Sequence, residues 1–142
     1  MGNPYNITTA ELFKFGMNQT AAIGIDPAVL QAEIDASCAW ADSKMRARYP
    51  LPILGSVAGG AGVFDPSIIM HICYHAAYNV MSARGYNPDA GSDTNYKTRY
   101  DMALDWFDGV ERQRTHPDVL LNTPTPPSYN LPTVTTCKKR GW

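Results

Sequence analysis

Two histidines four residues apart are the side chains in this sequence best spaced to bind a metal ion. His71 and His75 would share one face of a helix, as the ligands of helical zinc sites do. No Glu-Xaa-Xaa-His spacing accompanies them, and the cysteines Cys38, Cys73 and Cys137 form no CxxC pair. Without a third ligand, the pattern predicts interface or partly buried histidines and no bound metal.

A cysteine and three aspartates are the next candidates for catalysis. Cys73 lies in an apolar segment, whereas a nucleophilic thiolate needs an open and electropositive setting. Asp101, Asp105 and Asp108 could act as paired carboxylates in acid–base chemistry, but basic residues accompany them, which favours a solvated, ion-paired helix face. The basic residues are Lys97, Arg99 and Arg112.

The serines and the glycine-rich segment give no catalytic signature either. Ser37 and Ser67 lack the glycine-flanked elbow of a serine hydrolase. The segment from Gly55 to Gly62 holds four glycines in eight residues, without the lysine-serine ending of a phosphate-binding loop. We expect a mobile surface loop there. The sequence therefore predicts a protein that is not an enzyme and needs no cofactor.

Length and composition limit the fold to one domain with one core. The chain has 142 residues and 15.6 kDa, of which 44% are hydrophobic and 18% charged, as in ordinary globular proteins. Its apolar runs are too short to cross a bilayer, and residues 1–5 do not resemble a signal peptide. An odd number of distant cysteines argues against a disulfide framework and predicts folding in a reducing compartment.

Charge divides the chain into two parts. Residues 1–118 carry 13 acidic and 9 basic residues, whereas residues 119–142 carry no acid and three bases, so the formal net charge is -1. A chain with this balance does not coat nucleic acid as a whole. An acidic body with a basic tail indicates that the two parts meet different surroundings.

Helix start and stop signals predict about four helices. Thr8 with Glu11 opens a short helix that ends at Gly16, and Asp26-Pro27 opens a second that ends near Arg48. Asp65-Pro66 opens a third helix, which runs to about Arg84 and is apolar on most of its circumference, so it should be central. The fourth runs from about Thr94 to Arg114. We expect an all-α fold, an antiparallel helical bundle formed by residues 1–116.

Residues 117–142 have no helical pattern and are expected to form an extended arm. They hold five of the eleven prolines, which exclude a helix and favour extended backbone. Threonines and a valine between Leu131 and Cys137 favour addition of a strand to the sheet edge of a partner. The arm residues predicted to bind a partner are Tyr129, Leu131, Val134, Lys138, Lys139, Arg140 and Trp142.

Four segments of the chain follow one another in a distinctive order. They are Ala32-Glu33-Ile34-Asp35-Ala36-Ser37 with Arg48-Tyr49-Pro50-Leu51-Pro52, then Ile72-Cys73-Tyr74, then Arg84-Gly85, and finally Arg99-Tyr100 with Ala103 and Trp106. In this order and spacing they resemble the small head-completion proteins of tailed bacteriophages, also called head–tail adaptors, and in particular their Mu-like family. The resemblance covers roughly residues 7–115, and the glycine-rich loop and the long arm after Pro117 depart from the family pattern.

The resemblance implies a structural subunit of the phage neck with no enzymatic residue. It implies a homo-oligomeric ring, commonly of twelve copies, that docks on the portal protein after DNA packaging and offers a platform to a tail-side neck or terminator protein. Packaged DNA would pass through without sequence-specific binding, and the protein would be made in the host cytoplasm and end in the virion. In related adaptors the C-terminal segment helps to grip the portal, so we expect the arm to do so here. Locking of the ring by the arm of a neighbouring copy stays open.

Two other classes of function stay open at the level of sequence. A small helical nucleic-acid-binding protein could use Lys138, Lys139 and Arg140, although so few bases support only weak, salt-sensitive binding. A small enzyme or enzyme regulator could hold a helical pocket near His71 and His75.

Overall fold

The computed structural model describes residues 3–83, residue 85 and residues 94–121, and they form a mostly helical body with a small sheet. The prediction of a mostly helical fold is confirmed. In chain order the elements are α1 (Thr9–Glu11, continued by a π-type turn over Leu12–Gly16), a 3₁₀ turn (Gln19–Ala22), α2 (Pro27–Met45), β1 (Ile53–Ser56), β2 (Gly60–Ala61), α3 (Pro66–Ala83), α4 (Thr94–Glu111) and β3 (Leu120–Leu121).

The helix starts follow the predicted capping residues. The Thr8 hydroxyl accepts from the amide of Ala10, and the Glu11 carboxylate accepts from the amide of Thr8, which makes a reciprocal capping box. Asp26 caps α2 ahead of a proline at the first helical position, and Asp65 Oδ1 accepts from the amide of Ser67 at the start of α3.

Helix α2 buries the predicted apolar stripe but ends earlier than predicted. Its buried residues include Leu30, Ile34, Cys38, Ala41 and Met45. The helix stops at Met45 rather than near Arg48, and the exposed Arg48 donates from Nε to the carbonyl oxygen of Glu111 at 2.8 Å. The prolines at positions 50 and 52 exclude helical backbone just before them, so the chain leaves the helix within the preceding turn.

Helix α3 lies at the centre of the body, as its apolar circumference predicts. It packs against α2, α4 and the turn that follows α1. Gly16 makes the last of these contacts close, because a Cβ atom there would lie 2.6 Å from the carbonyl oxygen of Cys73. The buried side chains of α3 are Ile68, His71, Ile72, Cys73, His75, Ala76, Ala77 and Val80.

Ring contacts give the directions of the long helices. His71 of α3 stacks on Trp106 of α4, and one turn later His75 stacks on Tyr100, so these two helices run antiparallel. Trp40 of α2 contacts Phe107 edge-on. One turn farther along both helices, Lys44 of α2 pairs with Glu111 of α4, so α2 and α4 run parallel. The three long helices therefore alternate in direction around a shared core.

The prediction of an all-α fold is wrong, because the glycine-rich segment forms a sheet. Strands β2, β1 and β3 lie in that order, with both pairs antiparallel. Gly60 adopts a φ of +87°, which side chains other than glycine rarely adopt, and this lets the chain reverse into β2. Residues 55–62 thus form the paired ends of two strands and the turn that joins them, where the sequence predicted a mobile surface loop.

The first residues of the predicted arm belong to the body. Pro117 is buried, and Leu120 and Leu121 pair with Gly55 and Ile53 of β1. The arm residues predicted to bind a partner, Tyr129, Leu131, Val134, Lys138, Lys139, Arg140 and Trp142, lie outside the described residues, as does the segment from Leu131 to Cys137 predicted to add a strand. The division at residue 116 stays a prediction.

Candidate functional site

Asp118 joins the β1–β2 turn, the start of α3 and the start of the arm. Its carboxylate accepts from the amides of Val57 at 2.8 Å and Ala58 at 3.0 Å. Its own amide donates to Oδ2 of Asp65, whose other oxygen caps α3. Hydrogen bonds to an ionised carboxylate are stronger than neutral ones, so three segments distant in sequence are held together at this point.

The β1–β2 turn presents apolar side chains to solvent, and the Asp118 carboxylate bonds to its backbone. Val57 is 72% exposed and Val63 55% exposed, and Leu54 is exposed beside them. Residues 50–64 contain no acidic or basic side chain. We call the surface formed by Leu54, Val57 and Val63 the hairpin end.

A second apolar surface lies at the other end of the body. Ile23 is 70% exposed and Val29 is 52% exposed, and the exposed helix-capping Asp26 lies between them in sequence. Ile23 precedes the first residue of α2, whereas the hairpin end follows its last residue. The 19 residues of α2 separate the two surfaces by roughly 28 Å at about 1.5 Å per residue. We call the surface of Ile23 and Val29 the distal end.

The described part of the chain stops at the hairpin end, where the arm begins. Leu121 is the last described residue and lies in β3, an edge strand with β1 on one side and no other described strand on the other. The predicted partner-binding residues begin at Tyr129, eight positions after the end of a strand that has one free edge within the described chain.

His75 and Ser37 form a buried hydrogen-bonded pair that the sequence did not reveal. Ser37 Oγ lies 2.8 Å from His75 Nδ1, and the Asn79 amide also donates to that nitrogen, at 3.3 Å. The two partners are 38 residues apart in sequence, so no local motif could show them. Trp40 stacks flat on the imidazole with ring centroids 4.0 Å apart.

This pair is not arranged as a nucleophile with its base. Ser37 is fully buried, so no substrate can reach its hydroxyl, and no carboxylate among the described residues bonds to His75. Burial lowers the pKa of His75 to about 4, so the imidazole is neutral near pH 7. The pair satisfies polar atoms between α2 and α3, and the prediction of partly buried histidines is confirmed for His75.

His71 is buried one turn earlier on α3. Its Nδ1 lies 2.7 Å from the carbonyl oxygen of Ser67, and its ring stacks on Trp106 with centroids 4.7 Å apart. Burial lowers the pKa of His71, and the Ser67 carbonyl and Asp65 oppose this. Both histidines are therefore neutral near pH 7 and take part in packing between helices.

The described cysteines are structural. Cys38 and Cys73 are buried and unpaired, and burial raises the pKa of both thiols, that of Cys73 to about 12. Neither thiol forms the thiolate that a nucleophile or a metal ligand requires near pH 7. Cys137 lies outside the described residues.

The aspartates of α4 lie on the solvated face that the sequence predicted. Asp101 pairs with Lys97 at 2.6 Å. Asp108 accepts from Arg112 at 3.3 Å and from Arg114 at 3.1 Å. These exposed pairs are surface ion pairs, each worth less than about 1 kcal/mol.

The described residues contain neither a cluster of metal ligands nor a membrane-spanning helix. Among residues 3–83, 85 and 94–121, no group of three or more histidine, cysteine or acidic side chains is placed to hold a metal ion. Within the same ranges, none of the helices has the length and apolar character required to cross a membrane.

In the described chain, the side chains that could have formed a catalytic site pack between helices instead. His71, His75, Cys38, Cys73 and Ser37 are buried in contacts between helices. Of the described large apolar side chains that are exposed, all but Met102 of α4 lie at the hairpin end or the distal end. Comparison of the chain with protein-family models, with curated proteins and with solved structures gave no match.

Proposed function

We propose that this chain is a structural subunit of a bacteriophage neck, a helical bundle with an extended arm that forms a head-to-tail adaptor ring. The ring docks on the portal protein after DNA packaging and provides the platform for tail attachment. It acts in the virion after synthesis in the host cytoplasm, and it is not an enzyme. The observation that carries this proposal is the pair of exposed apolar surfaces at opposite ends of one small body.

The two ends support an adaptor because an adaptor binds different partners on two sides. Clustered exposed apolar side chains are typical of surfaces that a protein partner covers. The hairpin end and the distal end are separated by the length of α2, so two partners can bind without overlap. One of them would be the portal and the other a tail-side neck or terminator protein.

The arm supports the same reading. It begins at β3 on the hairpin end, and its basic residues Lys138, Lys139 and Arg140 follow a body that is acidic. We propose that the arm grips the portal. A hold on a neighbouring copy is the alternative, since closed rings require two unlike patches that meet head to tail.

The acidic body is compatible with the passage of DNA. Residues 1–118 carry 13 acids against 9 bases, so a channel built from this body would repel the polymer instead of retaining it. Sequence-specific binding of the packaged DNA is not part of the proposal.

The segments that carry the resemblance occupy structural positions in the described body. Ile34 and Ile72 are buried in the core, and Ala103 is buried on α4. Tyr100 and Trp106 stack on the two histidines of α3. A resemblance at buried and stacked positions supports an architecture like that of the head–tail adaptors. The proposed role in assembly depends instead on the hairpin end and the distal end.

The test combines light scattering with binding to portal-bearing heads. A truncation after Leu121 removes residues 122–142 and keeps both β3 and the Asp118 contacts. A truncation after Asp118 would remove β3 as well. We expect the truncated chain to stay folded and to lose retention on heads. A triple variant, Lys138→Ala with Lys139→Ala and Arg140→Ala, should weaken retention less.

Two results would contradict the proposal. Retention of the truncated chain with unchanged affinity would show that the arm does not grip the portal. A full-length monomer that shifts DNA in a gel, together with loss of the shift on truncation, would favour the nucleic-acid-binding alternative.

A further inference from the structure

A cleft of about 400 Å³ lies between α3 and the second half of α4. This volume falls within the roughly 300–1,000 Å³ of small-ligand sites. Trp106 and Met102 give it apolar walls, and Arg114 and Thr115 close one side. Its polar lining also includes His71 and Asp105. The hydrogen bonds and ion pairs of these two side chains indicate which kind of ligand the cleft can bind.

His71 offers an unused hydrogen-bond acceptor to the cleft. The Ser67 carbonyl oxygen can only accept, so the bond of 2.7 Å identifies Nδ1 as the protonated nitrogen of the ring. Nε2 of the neutral ring therefore carries a lone pair, and no described residue donates to it. The residue is only 6% exposed, so it is a buried acceptor without a partner in a cavity wall.

Asp105 adds an unpaired negative charge at the mouth of the same cleft. Its neighbours on α4 are neutralised, Asp101 by Lys97 and Asp108 by Arg112 and Arg114. Within the described residues, no ion pair or hydrogen bond involves the Asp105 side chain. Arg114, which also lines the cleft, is held by Asp108.

Nε2 of His71 and the Asp105 carboxylate are two hydrogen-bond acceptors beside an apolar wall, and this combination favours a cation that carries several N–H groups. A guanidinium is planar, permanently charged and weakly hydrated, and it packs on aromatic rings while it donates in several directions. An ammonium is compact and strongly hydrated, so the apolar wall favours it less. A metal ion would have one imidazole and one carboxylate, fewer ligands than a structural site requires.

We propose that the cleft between His71, Asp105 and Trp106 binds an arginine side chain presented by a partner protein. The guanidinium donates to the Asp105 carboxylate and to Nε2 of His71, and it packs against Trp106. This inference does not depend on the neck function, because a partner of any class can present an arginine.

The test is an NMR titration of the full chain with Nα-acetyl-arginine amide. We expect saturable shifts of the Trp106 indole N–H and of the Thr115 amide, with a dissociation constant on the order of a few millimolar. Nα-acetyl-citrulline amide has the same shape without the charge, and it should bind at least roughly fivefold more weakly. Nα-acetyl-lysine amide should fall between the two.

Matched variants locate the binding. Asp105→Asn should weaken arginine binding roughly five- to tenfold, whereas Asp101→Asn, one turn away and outside the cleft, should change it less than about twofold. Both residues are exposed, so both variants should fold. Absence of saturable shifts at Trp106 up to about 50 mM probe would overturn the proposal. Equal weakening by both variants, or equal binding of citrulline and arginine, would overturn it as well.

Discussion

The α3 core and the hairpin-end sheet are held together by different means. Side chains of α3 are buried against neighbours on three sides, so its stability comes from apolar area removed from water. The sheet has strands of two to four residues, and a single carboxylate, that of Asp118, bonds its turn. A fold can thus combine a core that tolerates no charge with an outer part that depends on a few directed bonds.

The largest expected effect tests the central position of α3. Ile72→Asp places a carboxylate in a fully buried site without a partner, so we expect the free energy of unfolding to fall by more than about 4 kcal/mol. Urea unfolding followed by circular dichroism measures this. Ile23→Asp is the control, because that side chain is exposed and its variant should unfold as the wild type does. A wild-type transition for Ile72→Asp would show that α3 is not central.

The next effect is a loss of stability in acid that originates in the core. The pKa of His75 is about 4 in the folded protein and 6.5 in the unfolded chain. Between these values only the unfolded state binds the proton, so the free energy of unfolding decreases as pH falls from 6.5 toward 4. The decrease should reach up to about 3 kcal/mol.

Urea unfolding at a series of pH values measures this decrease. His75→Gln removes the titrating group, so its free energy of unfolding should depend less on pH across the same window. An identical slope in the two proteins would assign the effect to other groups.

A smaller effect tests the close packing of α1 on α3. Gly16→Ala adds a Cβ atom 2.6 Å from the Cys73 carbonyl oxygen and 3.1 Å from the Ala77 Cβ. The backbone must shift to relieve the first contact, so we expect a loss of about 2 kcal/mol. Thermal unfolding by calorimetry measures the change. An unaltered melting temperature would mean that the turn after α1 packs more loosely than described.

The smallest effect concerns the sheet. Asp118→Asn replaces one acceptor oxygen by an amide nitrogen that faces an N–H of the turn, so we expect about 1 kcal/mol of destabilisation. Hydrogen exchange should become faster at the amides of Val57 and Ala58 while the amide of Ile72 stays protected. Equal acceleration at all three amides would show that the sheet and the core open as one unit.

The sequence predicts the helices well because their signals are local. Asp26-Pro27 and Asp65-Pro66 mark two starts, and the spacing of apolar residues identifies the faces that the structure buries. Helical turns connect residues three and four positions apart, so a short stretch of sequence is enough to predict a helix and its buried face.

The sheet and the buried contacts could not be predicted, because they join residues that lie far apart in sequence. Gly55 pairs with Ala61 and with Leu120, and the second partner lies 65 residues away. The bond between Ser37 and His75 spans 38 residues, and the cleft beside His71 combines two helices. Short strands rich in glycine also lack the alternation that predicts a strand, so the loop interpretation followed from composition alone.

The stacking of His75 on Trp40 and of His71 on Trp106 gives the core an internal optical signal. The rings of Trp40 and His75 are inclined by 10°, and those of Trp106 and His71 by 9°, so each indole lies flat against one imidazole. A protonated imidazole in contact with an excited indole accepts an electron and quenches its fluorescence, whereas a neutral one does so far less. Emission from Trp40 therefore reports the charge on His75, and emission from Trp106 reports the charge on His71. The chain has a third tryptophan, Trp142, so phenylalanine in place of Trp142 and of either Trp40 or Trp106 isolates the signal of the remaining one.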